Sequence, residues 1–495
     1  MRAHTPRFAV CFAIALVSCT TASKPPTLTT GSGAPGQGGA SGGDAGTSTC
    51  AFASTPTAFT LPVIAGAPAS PFVSLGAQEA CAAGTGPLAY TVADVNGDGR
   101  PDLVLRSSCT DPTVGVSTWL VYLNTGTGFA TTATRFALPP SSASGGCSGS
   151  SFVSSILDIN GDAIPDYVVT SLCNDATVGT SRWLVYSGTA AGFAQTAVPY
   201  ALPSGYSAGS FTSMDVAKPS CTGAANSPAF SFFDITGDAK PDFVLTQVCS
   251  DASIGTTAWL VFEGTSSGAS GPGRFALPTA PAVTAGAFAS VAGALSCTSS
   301  VTVPAFSLLD MNLDGKIDLV VTGACNDTNV GTNQWLWYEN SGSAFASSPT
   351  TQGFPTLTGA PTNSFATLSA DAKCTNGAGA PGYALADIDG DSVLDLIVTR
   401  DCSDAMTGVA YWDVYPSTGA AFASKKMLRL PAELGATSNS PVGLSGTLDC
   451  SSPATLAAFS PEFLTGQSLG LIVTQACSDS TVGASRWLWF PASCP

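Results

Sequence analysis

Histidine is all but missing from this chain: of 495 residues the only one is His4, beside the N-terminus. A Ser-His-Asp or Cys-His site and a zinc centre held by imidazoles are thereby excluded for everything downstream, which removes a large share of hydrolase chemistry. Charge is scarce too, at 10% of residues, and positive charge scarcer, with 17 Lys and Arg against 33 Asp and Glu and no basic run. Gripping a phosphate backbone needs clustered cations, so no nucleic-acid partner is expected. Helix-forming stretches are also few. Thr, Val, Ser, Gly and Phe dominate instead, and an apolar fraction of 44% supplies a large core.

What the chain does have is acids in register. Five loops place oxygen-bearing side chains at positions 1, 3, 5 and 9, with a backbone carbonyl available at position 7. They are Asp94, Asn96, Asp98, Arg100 and Asp102; Asp158, Asn160, Asp162, Ile164 and Asp166; Asp234, Thr236, Asp238, Lys240 and Asp242; Asp310, Asn312, Asp314, Lys316 and Asp318; and Asp387, Asp389, Asp391, Val393 and Asp395. A hard cation that takes six to eight oxygens asks for this donor set, so five Ca²⁺ sites are expected. One acidic turn without metal is common; five in register are not. The spacing overlaps that of an EF-hand, but the flanks, such as Asp102-Leu-Val-Leu and Asp318-Leu-Val-Val-Thr, are β-branched strands, and the position-12 Glu is missing. Of the 33 acids, 16 lie in these loops, so five Ca²⁺ would bring the net charge from −16 to about −6.

Arg2 and Arg7 precede an apolar run from Phe8 to Val17, too short to span a bilayer and built like a secretory signal. It ends Leu16-Val17-Ser18-Cys19, which resembles the bacterial lipobox, so residues 1–18 are read as a signal peptide and Cys19 as an acylated first residue. Lipid would then be the only link to a membrane, in an exported envelope protein of the outer membrane or cell surface. Residues 20–49, nearly all Gly, Ser, Thr, Ala and Pro, cannot bury enough to fold and form a tether with a reach of ~30 Å.

From residue 50 to 495 one pattern recurs six times. Each acidic loop is followed by Cys-x-Asp-x-x-x-Gly (Cys109 to Gly115 in the first copy) and then by a Trp-led strand beginning at Trp119, Trp183, Trp259, Trp335, Trp412 or Trp487. Successive Trp residues are 64 to 77 apart, enough for four strands per repeat. Strand A precedes the loop, B follows it, C carries the Trp, and D is a Phe-Ala-Leu-Pro-like segment such as Phe136 to Pro139. The sixth repeat has Glu462, Leu464, Gly466, Ser468 and Gly470 at the ligand positions, and so lacks a calcium site. One extra D segment, Phe59 to Pro62, precedes the first repeat while the last stops after C. The expected fold is therefore an all-β, six-bladed β-propeller closed by an N-terminal strand.

The cysteines agree with this register. Pairing the cysteine before each loop with the one after it gives Cys81–Cys109, Cys147–Cys173, Cys221–Cys249, Cys297–Cys325, Cys374–Cys402 and Cys450–Cys477, at separations of 26 to 28. Cys50–Cys494 then falls in the C-to-D turn of the last blade and makes seven bridges, each worth roughly 2 to 4 kcal/mol, in an oxidising compartment.

The five Asp-x-[Asp/Asn/Thr]-x-Asp-x-x-x-Asp loops between strands A and B resemble the FG-GAP/VCBS repeat family, which includes the integrin alpha-chain propeller. The resemblance departs at Thr236, in the sixth repeat and in the added cysteines. It implies structural calcium on one face and partners on the other face or the rim. The aspartates after the cysteines (Asp111, Asp175, Asp251, Asp327, Asp404, Asp479) read as Asx turns or as ligand contacts, and the Trp residues as core or as sugar platforms. Lys425-Lys426, the only adjacent basic pair, reads as a solvated turn, and the long D-to-A connections (204–228, 279–303) as the place for a binding surface. The expected function is a non-catalytic binding or scaffolding propeller with a protein or glycan partner. A polysaccharide lyase or dehydratase, which can work without His, is the alternative, and a purely structural spacer the third.

Overall fold

The computed structural model describes residues 51–493 apart from 85, 141–152, 279–283, 299–301, 390, 392, 420, 435–443, 451–456 and 463–469. The expected signal segment (1–18), Cys19, the tether (19–49) and the bridges Cys50–Cys494 and Cys147–Cys173 involve residues outside that set, although Cys173 is itself disulfide-bonded. The chain is all-β. Helix among the described residues is confined to short 3-10 turns such as Ala432–Leu434, and none is long and apolar enough to cross a membrane.

Apolar B strands set the pattern. Asp102–Ser107, Asp166–Ser171, Asp242–Gln247, Asp318–Gly323, Asp395–Arg400 and Gly470–Gln475 carry consecutive buried residues, so both faces of each strand are covered. Each pairs antiparallel with an A strand (Pro87–Ala93, Val153–Leu157, Ala229–Phe233, Ala305–Leu309, Gly382–Ala386, Ala458–Glu462), always with a register shift near the start of A. A recurring bulge of this kind bends the strand and raises its twist. On its other side each B strand pairs with a C strand: Thr118–Tyr122, Arg182–Tyr186, Ala258–Thr265, Gln334–Tyr338, Tyr411–Tyr415 and Arg486–Ser493. The D strands of the first five units follow C directly. In the sixth, Arg486–Ser493 pairs instead with Thr57–Thr60 from the chain's beginning, Phe59 opposite Trp487.

Because strand side chains alternate between faces, each sheet has two apolar faces to cover. Among the described residues the core falls into six clusters, each joining the Trp-bearing face of one unit to the opposite face of the next. Trp183 and Val185 of the second unit, for example, pack with Phe243, Leu245 and Phe262 of the third. One cluster sets Phe59, Trp487 and Trp489 against Tyr90, Leu103, Leu105 and Tyr122, so the last unit packs on the first. Trp indole N–H groups join the D-to-A connections to these seams. Those of Trp183, Trp259 and Trp487 donate to the carbonyls of Phe211 (2.6 Å), Phe288 (2.8 Å) and Phe72 (2.7 Å). Five disulfides, Cys81–Cys109, Cys221–Cys249, Cys297–Cys325, Cys374–Cys402 and Cys450–Cys477, tie the A-side connections to the B-to-C turns.

Phe59 is 1% exposed, edge-on to Phe129 and stacked on Trp487. Phe59→Ala removes this wedge between chain beginning and chain end, and is expected to cost about 3–5 kcal/mol of unfolding free energy in a denaturant titration. A loss below about 1 kcal/mol would mean that the strand does not hold the last unit.

Candidate metal centres between strands A and B

Each acidic loop is organised by its first aspartate. Asp94 accepts from the backbone N–H of Gly97 and Gly99 at 2.8 Å, Asp158 from Gly161 and Ala163 at 2.7 Å, and Asp234 from Gly237 and Ala239 at 2.7 Å. These bonds hold positions 4 and 6 in the left-handed region, where Gly97 (φ 77°) and Gly99 (φ 79°) are at ease. Ala163 and Ala239 (φ 68°) and Leu313 (φ 51°) adopt the same conformation without that freedom, at about 1–2 kcal/mol each. Strain kept in a loop of this kind marks a geometry imposed for a purpose.

The ninth position does more than the sequence disclosed. Asp102, Asp166, Asp242, Asp318 and Asp395 are fully buried. One carboxylate oxygen of each accepts a backbone N–H at or just beyond the end of strand C, from Asn124 (2.8 Å), Gly188 (2.7 Å), Gly264 (2.8 Å), Asn340 (2.7 Å) and Ser417 (2.9 Å). In four units the other oxygen accepts from the loop's own second residue, Ile159, Ile235, Met311 or Ile388, at 3.0 to 3.2 Å. This acid therefore ties the loop to the C-to-D turn.

In the fifth unit, whose position 3 is also an acid, carboxylate oxygens of Asp387, Asp389 and Asp395 lie within 4.8 Å of one another. The acids at position 5 have partners of their own. Asp98, Asp238 and Asp314 pair with the basic residue of their own position 7, Arg100 (2.9 Å), Lys240 (3.3 Å) and Lys316 (3.1 Å), while Asp162 receives the Asn160 amide at 3.0 Å. Thr236 donates to Asp242 at 3.1 Å. Asp391 accepts the Val393 N–H at 2.9 Å, and Asn312 and Ile164 sit in their loops as spaced. In the sixth unit Gly470 takes the ninth position, and a Cβ there would stand 2.2 Å from the Trp489 ring, so an indole fills the space of the acid.

The donor set fits a hard cation. Burial pushes the carboxyls of Asp102, Asp318 and Asp395 up to about 7 and those of Asp166 and Asp242 up to about 6. Such groups want either a proton or a positive charge beside them. Asp102 Oδ2 and Asp389 Oδ1 are buried oxygens without a hydrogen-bond partner, as unspent ligand atoms would be. The loops also touch in series: a Cβ on Gly97 would lie 2.9 Å from the Ala163 carbonyl, and one on Gly161 3.1 Å from that of Ala239.

Other candidate residues sort as follows. All six aspartates after the cysteines accept the N–H two residues on (Thr113, Thr177, Ser253, Asn329, Met406, Thr481), so they are Asx turns. Arg135, Arg182, Arg274 and Arg486 pair with four of them, which spacing did not reveal. Trp183, Trp259, Trp335, Trp412 and Trp487 are fully buried, which makes them core. The solvated-turn reading of Lys425 is corrected: its Nζ lies 3.1 Å from the buried carboxylate of Asp413, which stands where Leu stands in the other C strands. Thr407 also donates to Asp413, whose Oδ1 has no partner, and Tyr411 donates to Asp404 at 2.7 Å, a bond that pushes its hydroxyl up to about 12.

Residues 94–169 match the FG-GAP-like repeat model. The match runs from the first acidic loop through the second and into the B strand that follows it. No curated protein sequence matches the chain. Among solved structures, the Tc holotoxin pore of Photorhabdus luminescens is similar over 82% of this chain at 16% identity and a TM-score of 0.43, and this chain spans 14% of the holotoxin chain. An α-L-arabinanase of Penicillium chrysogenum complexed with arabinobiose is similar over 88% of this chain and 98% of its own, at 10% identity and a TM-score of 0.32. The Dos1 propeller is similar over 82% and 68%, at 8% identity and a TM-score of 0.23.

Two outcomes are expected. In calcium, Asp98→Ala lowers unfolding free energy by up to ~3 kcal/mol, and in chelator by less than about 1, since its ion pair with Arg100 is exposed. Equal losses in both conditions would show that the loop works without metal. In metal-free protein the buried acids bind protons more tightly folded than unfolded, because their folded values lie above the ordinary 3.8. Their stabilising protonation is complete below about pH 4 and lost as pH rises through 6 to 7, so metal-free Tm falls across that window. Calcium replaces the proton, so the Tm gain on adding calcium grows from pH 5 to pH 7.5.

Proposed function

We propose that residues 50–495 form a six-bladed FG-GAP-type propeller, closed by its N-terminal strand, stiffened by about five Ca²⁺, and carried on the outside of a bacterial envelope as a non-catalytic binding scaffold for a protein or glycan. The observation that carries this reading is where the disulfides lie. Five of them pin the long A-side connections to the B-to-C turns at one end of the sheets, opposite the acidic loops. Loops clamped in place lose little freedom on binding, which is what a recognition surface requires. The same bridges fit an exported protein.

A second reading has its own observation. The fifth unit alone combines a buried carboxylate, Asp413, with Lys425, Thr407 and Tyr411, a set of acid and base groups that a polysaccharide-acting lyase could use without histidine.

Binding of the exported chain to a glycan array and to envelope extracts, with calcium and with chelator, tests the first reading. Capture of a defined glycan or protein is expected, and capture in calcium is expected to be stronger. Silence on both together with cleavage of a uronate polymer that Lys425→Ala abolishes, calcium content intact, would replace it with the second.

A further inference from the structure

Two residues of the fifth unit break a pattern that the other five keep. Strand C carries Asp413 where the others carry Leu, and the turn before it carries Thr407 where they carry Val114, Val178, Ile254, Val330 and Val482. Both are 0% exposed, and Thr407 donates to Asp413 Oδ2 at 3.3 Å. The two changes answer each other at one buried spot. A carboxylate placed there is costly unless its charge is met.

That charge is met from one side only. Lys425 Nζ lies 3.1 Å from Asp413 Oδ2, at the entry to strand D (Lys426–Arg429), whose Met427 stands opposite Asp413. Asp413 Oδ1 has no hydrogen-bond partner. In the seven other ion pairs among the described residues both side chains are at least 25% exposed, so only here is the acid withheld from water. Burial pushes this carboxyl up from its ordinary value, toward the protonated form that an amine can attack. The Lys425 side chain, 46% exposed, reaches the acid from solvent and leaves a small product a way out.

We propose that Lys425 and Asp413 condense to an amide, a covalent tie between strands C and D of the fifth unit. Nζ bonds to Cγ of Asp413, one Cγ–O bond breaks, and that oxygen leaves as water with two protons given up by the ammonium. Nothing is oxidised or reduced, and no co-reactant enters. Two groups held in contact on adjoining strands react as parts of one molecule, which lowers the barrier to a condensation that free acid and amine would not undergo. The product suits the place, because a neutral amide replaces an ion pair whose acid is fully buried. The strand it secures is the one whose Arg429 pairs with Ala51 at the chain's beginning. A lysine spent in this way is no longer a base, so the bond excludes the lyase reading of the same residues and leaves the binding scaffold untouched.

The test is peptide mapping by mass spectrometry of the full chain, reduced, alkylated and digested with trypsin. Asp413 and Lys425 both lie between the cleavage points Arg400 and Lys426. A linked chain is expected to yield residues 401–426 uncut at Lys425, lacking one water, and giving no fragment ions from between 413 and 425. Lys425→Arg, which keeps the ion pair but cannot form the amide, is expected to yield residues 401–425 at full mass. Asp413→Leu, which restores the residue native to the other five units, is expected to do the same. Residues 401–425 at full mass from the parent chain overturn the bond. A water loss that persists in Lys425→Arg overturns it too, since the aspartate would then have closed on a group other than the lysine.

Discussion

A four-stranded sheet whose middle strands are apolar on both sides cannot end at either face. Leu103, Val104 and Leu105 are each at most 1% exposed, and they point alternately to the two sides of their strand, so burying one side against a neighbour leaves the other needing a second neighbour. The repeat therefore has no stable terminal copy of the kind an open solenoid caps with polar residues. Every seam is met by the Trp face of one unit and the B-strand face of the next, including the seam between Trp487 and Leu105. The disulfides, the indole hydrogen bonds and the strand borrowed from the chain's beginning all serve that one requirement.

The acidic loops are built into the same scheme. A carboxylate at the ninth position, buried at the head of strand B, reaches the turn after strand C, so this one acid joins three strands of its sheet. Buried charge without a counter-charge is expensive, and the elevated proton affinity of these acids expresses that cost. The sixth unit shows the other solution, a glycine with the Trp489 ring lying where the acid would be. Apolar filling and a buried acid are alternative ways to complete the same sheet, and the chain uses both.

Most of this was legible from the sequence because the signals are local and repeated. Apolar runs bounded by acids and Gly restate the register five times, the Trp-led strands and the even cysteine spacing six times, and the pairing of Phe59 with Trp487 follows from an odd strand left over at each end. Interactions that depend on which residues meet across strands were not legible. Arg135 lies 24 residues from Asp111, and Lys425 looks like any turn lysine until strand C carries an aspartate beside it. Spacing also did not show that a basic residue two places on pairs with Asp98, Asp238 and Asp314.

The strand Thr57–Thr60 has a mechanical meaning. It is held by four consecutive pairings with Arg486–Ser493, from Thr57 opposite Trp489 to Thr60 opposite Arg486. A force drawn along this strand from the N-terminal side loads those pairings in shear, all together, where a pull across the strand would open them one by one. A pull from the N-terminal side is thus delivered to the sheet formed near the chain's other end.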